Sequence, residues 1–155
     1  MTIQENFVMT TPVGRIYVET RAEAIVRLEY HTRKPVTSRK LGKFAARVKK
    51  QIENYFKSPN GLELPVQLEG TAFQKKVWRA LQRIPVGQTR TYGDISAQLN
   101  SSPRAVGNAC RANPVPLVVP CHRVVASSGI GGFGGETSGR NINCKSWLLQ
   151  HEASH

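Results

Sequence analysis

Between residues 7 and 30 the chain alternates short apolar runs (Phe7-Val8, Val13 to Val18, Ala24 to Leu28) with the breaks Thr11-Pro12 and Arg21-Ala22-Glu23. Apolar runs punctuated by turn formers predict a small antiparallel sheet of local hairpins. The period then changes. From Arg39 to Phe56 the apolar positions are Leu41, Phe44, Ala45, Val48, Ile52, Tyr55 and Phe56. That is helical spacing, with Lys43, Arg47, Lys49 and Lys50 on the other faces. Lys57-Ser58-Pro59-Asn60-Gly61 ends the helix, and residues 62–70 read as a linker with at most one strand. The pattern therefore predicts two units, an N-terminal α/β domain over 1–66 and a C-terminal domain over 67–155.

The second unit opens on Thr71-Ala72-Phe73-Gln74, a capping box that starts a helix running to Arg83. Pro85-Val86-Gly87 stops it. Thr91 to Asp94 supplies a weaker cap for a helix to Leu99, and Ser102-Pro103 supplies a cap and an N1 proline for a third, through Ala112. The two helices around Asn100-Ser101-Ser102 form either a helix-turn-helix or an ordinary helical hairpin, and the pattern alone favours the hairpin. Asn113-Pro114 ends the third helix. The apolar run Val115 to Val119, interrupted by Pro116, predicts a short buried strand that delivers Cys121. A glycine-rich loop (129–139) follows, and Trp147-Leu148-Leu149 belongs to a closing helix ending at His151-Glu152.

Composition narrows the class. With 155 residues, 39% hydrophobic and 21% charged, the chain reads as an ordinary soluble globular protein. No segment has the length of an apolar membrane span, and Met1 to Thr10 lacks a signal-peptide core. The three cysteines, Cys110, Cys121 and Cys144, form no Cys-x-x-Cys pair, which points to a reducing compartment: cytoplasmic, and nucleoid-associated if the source is bacterial. Twenty-two Lys and Arg against ten Asp and Glu give a net charge of +12. Eight of those bases and no acid lie between Tyr30 and Ile52. A polyanionic partner and a merely solvated basic face fit that excess equally well.

The candidate chemistry sits in Pro120-Cys121-His122-Arg123-Val124-Val125, where a cysteine adjoins a histidine and an arginine inside an apolar run. A cysteine reacts as its thiolate, which needs a basic or cationic neighbour. A buried structural cysteine is the ordinary alternative, weakened by those flanking residues. Gly129-Ile130-Gly131-Gly132-Phe133-Gly134-Gly135 lacks the Gly-Lys-Ser/Thr of a phosphate loop. Cys110 and Cys144 lack the spacing of zinc ligands, and a papain-like thiol hydrolase would show its own local signature.

The residues closely resemble one family, the O6-alkylguanine-DNA alkyltransferases (methylated-DNA–protein-cysteine methyltransferases). The likeness runs through Thr71-Ala72-Phe73-Gln74-Lys75-Lys76-Val77-Trp78, Ile84-Pro85-Val86-Gly87, Thr91-Tyr92-Gly93, Arg104-Ala105-Val106-Gly107, Asn113-Pro114-Val115-Pro116, Pro120-Cys121-His122-Arg123-Val124 and Trp147-Leu148-Leu149-Gln150-His151-Glu152. In the first half it rests only on Thr11-Pro12-Val13-Gly14 and Tyr55-Phe56.

The resemblance implies an α/β (α+β) fold: a ribonuclease H-like N-terminal sheet with its helix, then a mostly helical, winged-helix-like domain with a helix-turn-helix. It implies DNA repair by single-turnover transfer of an alkyl group from O6-alkylguanine, with O4-alkylthymine a further candidate, to Cys121. His122 would take the thiol proton through a water, Glu152 would orient the histidine, Asn113 would hold the segment before the cysteine, and Tyr92 would protonate the base. The carbonyls of Cys121 and Val124 would accept from the guanine amine. Pro116, Val124, Phe133 and Gly134 would line the substrate pocket.

A buried centre requires the nucleotide to be flipped out of the duplex. The family binds the minor groove, so Arg104 would fill the gap, Ala105 and Gly107 would allow close approach, and Thr91 and Arg111 would contact DNA. The expected partner is double-stranded DNA carrying O6-alkylguanine, bound by a monomer without metal, nucleotide or methyl-donor cofactor. A non-enzymatic binder of alkylated DNA and a thiol hydrolase are the alternatives. Three departures from the family pattern stand out: a shortened segment from Tyr92 to Arg104, a glycine-rich loop in which Phe133 replaces the usual tyrosine, and a lengthened stretch from Glu136 to Cys144.

Overall fold

The computed structural model describes residues 4–131 and 139–154. Its first half holds an antiparallel sheet of β1 (Gln4–Thr11), β2 (Gly14–Arg21) and β3 (Ala24–Tyr30), in that order. The predicted hairpins close tightly. Thr11 Oγ1 accepts from the Val13 amide and donates to the Gly14 carbonyl, and Ala22 and Glu23 both take positive φ (52° and 59°) between β2 and β3. Two left-handed residues in a two-residue loop match the twist of the flanking strands. Phe7 lies opposite Val18 and Met9 opposite Ile16, and Leu28 also pairs with Val18, so one face of the sheet is apolar. It shares a core with Ala45, Val48, Ile52 and Tyr55 of α1 (Lys43–Lys57).

Helix α1 starts later than its apolar spacing predicts. Arg39 is drawn to the Glu5 carboxylate at 2.8 Å and to the Asn6 carbonyl, and the Gly42 amide donates to the same carboxylate at 3.1 Å. These bonds keep residues 39–42 extended against β1. The linker forms no strand of its own. It meets the outer edge of β3 at one point, where the Ile25 amide donates to the Pro65 carbonyl (2.8 Å) and the Gln67 amide to the Ile25 carbonyl (3.0 Å). Further along that edge the Leu28 amide donates to the Pro114 carbonyl (3.0 Å). Strand β3 therefore braces the segment that leads to Cys121.

In the second half, α2 (Ala72–Gln82) and α3 (Tyr92–Gln98) both begin with complete capping boxes, Thr71 with Gln74 and Thr91 with Asp94. Helix α4 (Pro103–Arg111) is capped by Ser102, whose hydroxyl accepts from the Ala105 amide. The turn between α3 and α4 uses Asn100 at φ 54°, a region that asparagine enters more readily than most residues. Trp78, almost fully buried, ties α2 to α4 by donating its indole N–H to the Ala109 carbonyl at 2.8 Å. The two-residue strands β4 (Arg90–Thr91) and β5 (Val124–Val125) pair in parallel, and α5 (Arg140–Ala153) closes the chain. The whole is a mixed α/β fold.

The strand predicted for Val115 to Val119 is corrected. The segment is buried but folds as a turn, with the Val119 amide bonded to the Val115 carbonyl and Leu117 at φ 77°. Pro116 has no N–H to give a ladder. Residues Cys121–Arg123 likewise form a single 3-10 turn rather than a strand, and extended pairing begins only at Val124.

Candidate active site

The 3-10 turn places Cys121, His122 and Arg123 at successive corners of one buried junction, with exposures of 7%, 0% and 4%. Asn113 braces the turn from behind: its amide nitrogen donates to the Val119 carbonyl (2.8 Å) and its side-chain oxygen accepts from the Val115 amide (2.9 Å). The Cys121 amide also bonds to the Val119 carbonyl at 2.8 Å. Burial pushes the Cys121 thiol up, opposed by a hydrogen bond from Asn113 and by the charge of Lys145. The cysteine thus rests as a thiol and needs a base.

His122 turns its Nε2 to Glu152 Oε2 at 2.7 Å. Burial pushes the Glu152 carboxyl up, but hydrogen bonds from His122, Arg123 and Tyr55 outweigh it and hold the group well below the usual carboxylate range. An ionised carboxylate only accepts, so Nε2 carries the proton and Nδ1 of the neutral ring keeps a lone pair. Nδ1 is buried and meets no hydrogen-bond partner among the described residues. Burial pulls His122 down; Glu152 opposes this, while the Arg123 and Lys145 charges add to it. The ring is therefore neutral and able to take a proton.

Arg123 does not point at the cysteine. Its Nε donates to Glu152 Oε1 at 2.8 Å, its Nη2 to Oε2 at 3.0 Å, and its Nη1 to the Ile84 carbonyl at 2.7 Å. The cation that acts on Cys121 is Lys145, fully buried on α5, whose Nζ donates to the Val124 carbonyl at 2.7 Å and lies 5.8 Å from the Tyr92 ring centroid. Burial pulls its ammonium down to about 8, with the Cys121 and Cys110 sulfurs opposing. Tyr92, at the first position of α3, is pushed up to about 12 by burial and by the nearby Cys110 and Cys121. It therefore holds its proton and can donate it.

A cavity of about 240 Å³ opens over the cysteine, lined by Tyr30, Cys110, Arg111, Asn113, Pro116 and Cys121. Of the expected pocket residues, Pro116 lines it, and Val124 is fully buried with its carbonyl already taken by Lys145. The Cys121 carbonyl already accepts from the Val124 amide. Phe133 and Gly134 lie outside the described residues. On the expected DNA side, Arg104 is exposed near the start of α4 and makes no hydrogen bond or ion pair with the described residues. Ala105 and Gly107 are half-buried on the same helix, and a Cβ on Gly107 would sit 4.0 Å from the Tyr92 ring. Arg111 is exposed at the cavity rim. The Thr91 hydroxyl oxygen accepts from the Asp94 amide at 2.9 Å, which makes Thr91 the cap of α3.

Sequence reasoning missed Lys145, the pairing of Arg123 with Glu152, and the arrival of Tyr30 and Tyr55 from the first half. One signal was available for Lys145. It shares a helical face with Leu148 and Glu152, and a lysine on a buried stripe calls for a reason.

Residues 72–154 match the family model of the 6-O-methylguanine DNA methyltransferase DNA-binding domain. The constitutive methylated-DNA–protein-cysteine methyltransferase of Bacillus subtilis is 35% identical over 154 residues, covering 92% of this chain and 91% of that protein. The crystal structure of the Mycobacterium tuberculosis O6-methylguanine methyltransferase superposes with a TM-score of 0.79 at 34% identity, over 98% of this chain and 94% of that one. The Mycobacterium tuberculosis enzyme in complex with DNA gives 0.78 at 34% identity, over 96% and 92%. Likeness of that extent in both sequence and fold places the chain in the methylated-DNA–protein-cysteine methyltransferase family.

Proposed function

We propose that this chain repairs alkylated DNA by moving the alkyl group from O6 of a flipped-out guanine onto Cys121 of its own chain. Sulfur forms a bond to the alkyl carbon while the carbon–O6 bond breaks and its electron pair stays on the guanine. The thiol proton passes through a water to His122 Nδ1, and Tyr92 supplies a proton to the departing base. The atoms balance with no further reactant. The thioether formed has only a poor leaving group, so each molecule reacts once.

A single observation carries this reading: the thiol and His122 Nδ1, which meets no hydrogen-bond partner among the described residues, belong to one 3-10 turn, and that histidine is oriented by a buried, ionised Glu152. Asn113 holds the turn, and the cavity over Cys121 gives the extruded base somewhere to go. Arg104, at the exposed start of α4, is suited to fill the vacated stack, with Ala105, Gly107 and Arg111 against the backbone. Two units with a boundary near residue 66, the first ribonuclease H-like and the second winged-helix-like around the α3–α4 helix-turn-helix, fit the same reading. So does action as a monomer on duplex DNA.

Intact mass after incubation with an O6-methylguanine oligonucleotide tests it. One methyl adduct mapped to Cys121, absent in Cys121→Ser, is expected. Tight lesion binding without an adduct would overturn transfer in favour of a binding protein, and catalytic turnover would point to a hydrolase.

A further inference from the structure

Cys121, His122 and Glu152 all lie within the matched segment 72–154, yet one hydrogen bond to this group arrives from outside it. Tyr55, near the end of α1, donates its hydroxyl to Glu152 Oε2 at 2.6 Å, and both residues are buried (0% and 2% exposed). The tyrosine is held from its other side as well. Its carbonyl meets His151 Nε2 at 2.7 Å, and its ring stands edge-on to Phe56 (5.1 Å, 82°) and His151 (5.4 Å, 75°). Burial, with Glu152 beside it, pushes the phenol well above its usual range, so the proton stays on the tyrosine.

We propose that Tyr55 is a positioning residue for alkyl transfer: its hydroxyl shares Glu152 Oε2 with His122 and so limits how strongly the carboxylate holds the histidine's proton. This rests on the reading of Cys121, His122 and Glu152 as the reacting group. Oε2 accepts from Tyr55 at 2.6 Å, from His122 at 2.7 Å and from Arg123 at 3.0 Å. Each donor stabilises the ionised carboxylate and makes it a weaker base toward the others.

The charged groups that act on His122 are Glu152 and Lys145 from α5 and Arg123 from the 3-10 turn, while Tyr55 from α1 and Tyr30 from β3 bear on Glu152. Glu152 is the group that draws a proton onto the ring; Arg123 and Lys145 oppose it. Tyr55 acts with those two, through the carboxylate. A more basic Glu152 would stabilise the imidazolium, which has no lone pair at Nδ1 and cannot accept from Cys121. The first half of the chain thereby helps keep the base of the second half unprotonated.

The test is the pH dependence of single-turnover methyl transfer from an O6-methylguanine oligonucleotide. It compares the full chain with His122→Gln, with Tyr55→Phe, and with 3-fluorotyrosine placed at position 55. The parent rate is expected to fall on the acid side, and that limb should vanish in His122→Gln. Tyr55→Phe should move the limb to higher pH by about half a unit or more. The fluorinated phenol, a stronger donor of the same shape, should move it to lower pH. Opposite shifts support the proposal, because loss of packing cannot change sign. An unmoved limb in both Tyr55 variants overturns it, whatever their thermal stability, and the isosteric variant decides alone if Tyr55→Phe fails to fold. A limb that persists in His122→Gln overturns the histidine's role as base, and this proposal with it.

Discussion

Removing the Arg123 guanidinium should cost the fold more than any exposed ion pair would, and the cost should depend on pH in a defined direction. Two bonds, at 2.8 and 3.0 Å, join Arg123 to Glu152, and the side chains are only 5% and 1% exposed. Charge centres about 4 Å apart attract by about 4 kcal/mol at the effective dielectric suited to protein sites. Removing one partner of a buried pair costs about 3–5 kcal/mol, because the other charge is left uncompensated. Arg123→Met should therefore lose about that much of a total near 5–15 kcal/mol. Glu152→Gln should do the same from the other side, leaving Arg123 buried without its anion. The double variant should lose less than the sum of the two, by about 1–3 kcal/mol, since no charge is then stranded.

His122 supplies the pH signature. In the parent its pKa is held below the ordinary 6.5. Unfolding then takes up a proton in acid, and stability falls as the pH drops through that region. With Arg123 removed, His122 faces a carboxylate that only Tyr55 still shares, and its folded pKa should rise above the unfolded value. Its contribution is then complete below the unfolded pKa and lost as pH rises through the folded one. The deficit of Arg123→Met against the parent should accordingly be larger at about pH 8 than at about pH 5.5. Urea unfolding of the four proteins at both pH values measures it, provided the slopes agree. Losses within about 1 kcal/mol of the parent, or a deficit equal at the two pH values, would refute the buried-pair reasoning.

Other outcomes follow from the same junction. Lys145→Met removes the cation that opposes the upward shift of Cys121. The pH at which iodoacetamide half-maximally labels Cys121 should rise, and an unchanged midpoint would mean Lys145 serves only to hold the Val124 carbonyl. Gly131 sits at φ 78°, where an added Cβ would lie 3.0 Å from the Ala126 nitrogen and 3.1 Å from the Tyr92 ring. Gly131→Ala should cost about 1–2 kcal/mol in urea unfolding and slow transfer by displacing Tyr92; parent-like values in both would free Tyr92 from that contact. Arg104→Ala should slow repair of duplex DNA far more than reaction with free O6-benzylguanine, and equal losses would remove Arg104 from the flipping step.

Local signals were legible wherever the chain states them in neighbouring residues. The capping boxes at Thr71 and Thr91, the serine-proline start of α4, and the apolar spacing of the sheet and of α1 all predicted elements that the fold contains. Each is a contact between positions a few residues apart, and the chain writes such contacts directly. The failures share a cause. Val115 to Val119 is apolar enough for a strand, but Pro116 and the bond from Val119 to Val115 make it a turn. The start of α1 yields to Glu5, 34 residues away from Arg39 in the chain.

The chemistry divides along the same line. Sequence alone brought together the proposed reacting pair, because Cys121 and His122 are neighbours in the chain, and it determined the family, because the motifs follow one another in order. Only the tertiary structure decided how charge is shared around that pair. Arg123, which reads in sequence as the cation beside the thiol, is spent on Glu152, while Lys145 supplies charge to Cys121 from 24 residues away and Tyr55 reaches Glu152 across 97. The physical reason is that a buried charge must find its partner in space. Nothing in the local pattern says which of several buried charges will meet once the sheet, α1 and α5 have packed together.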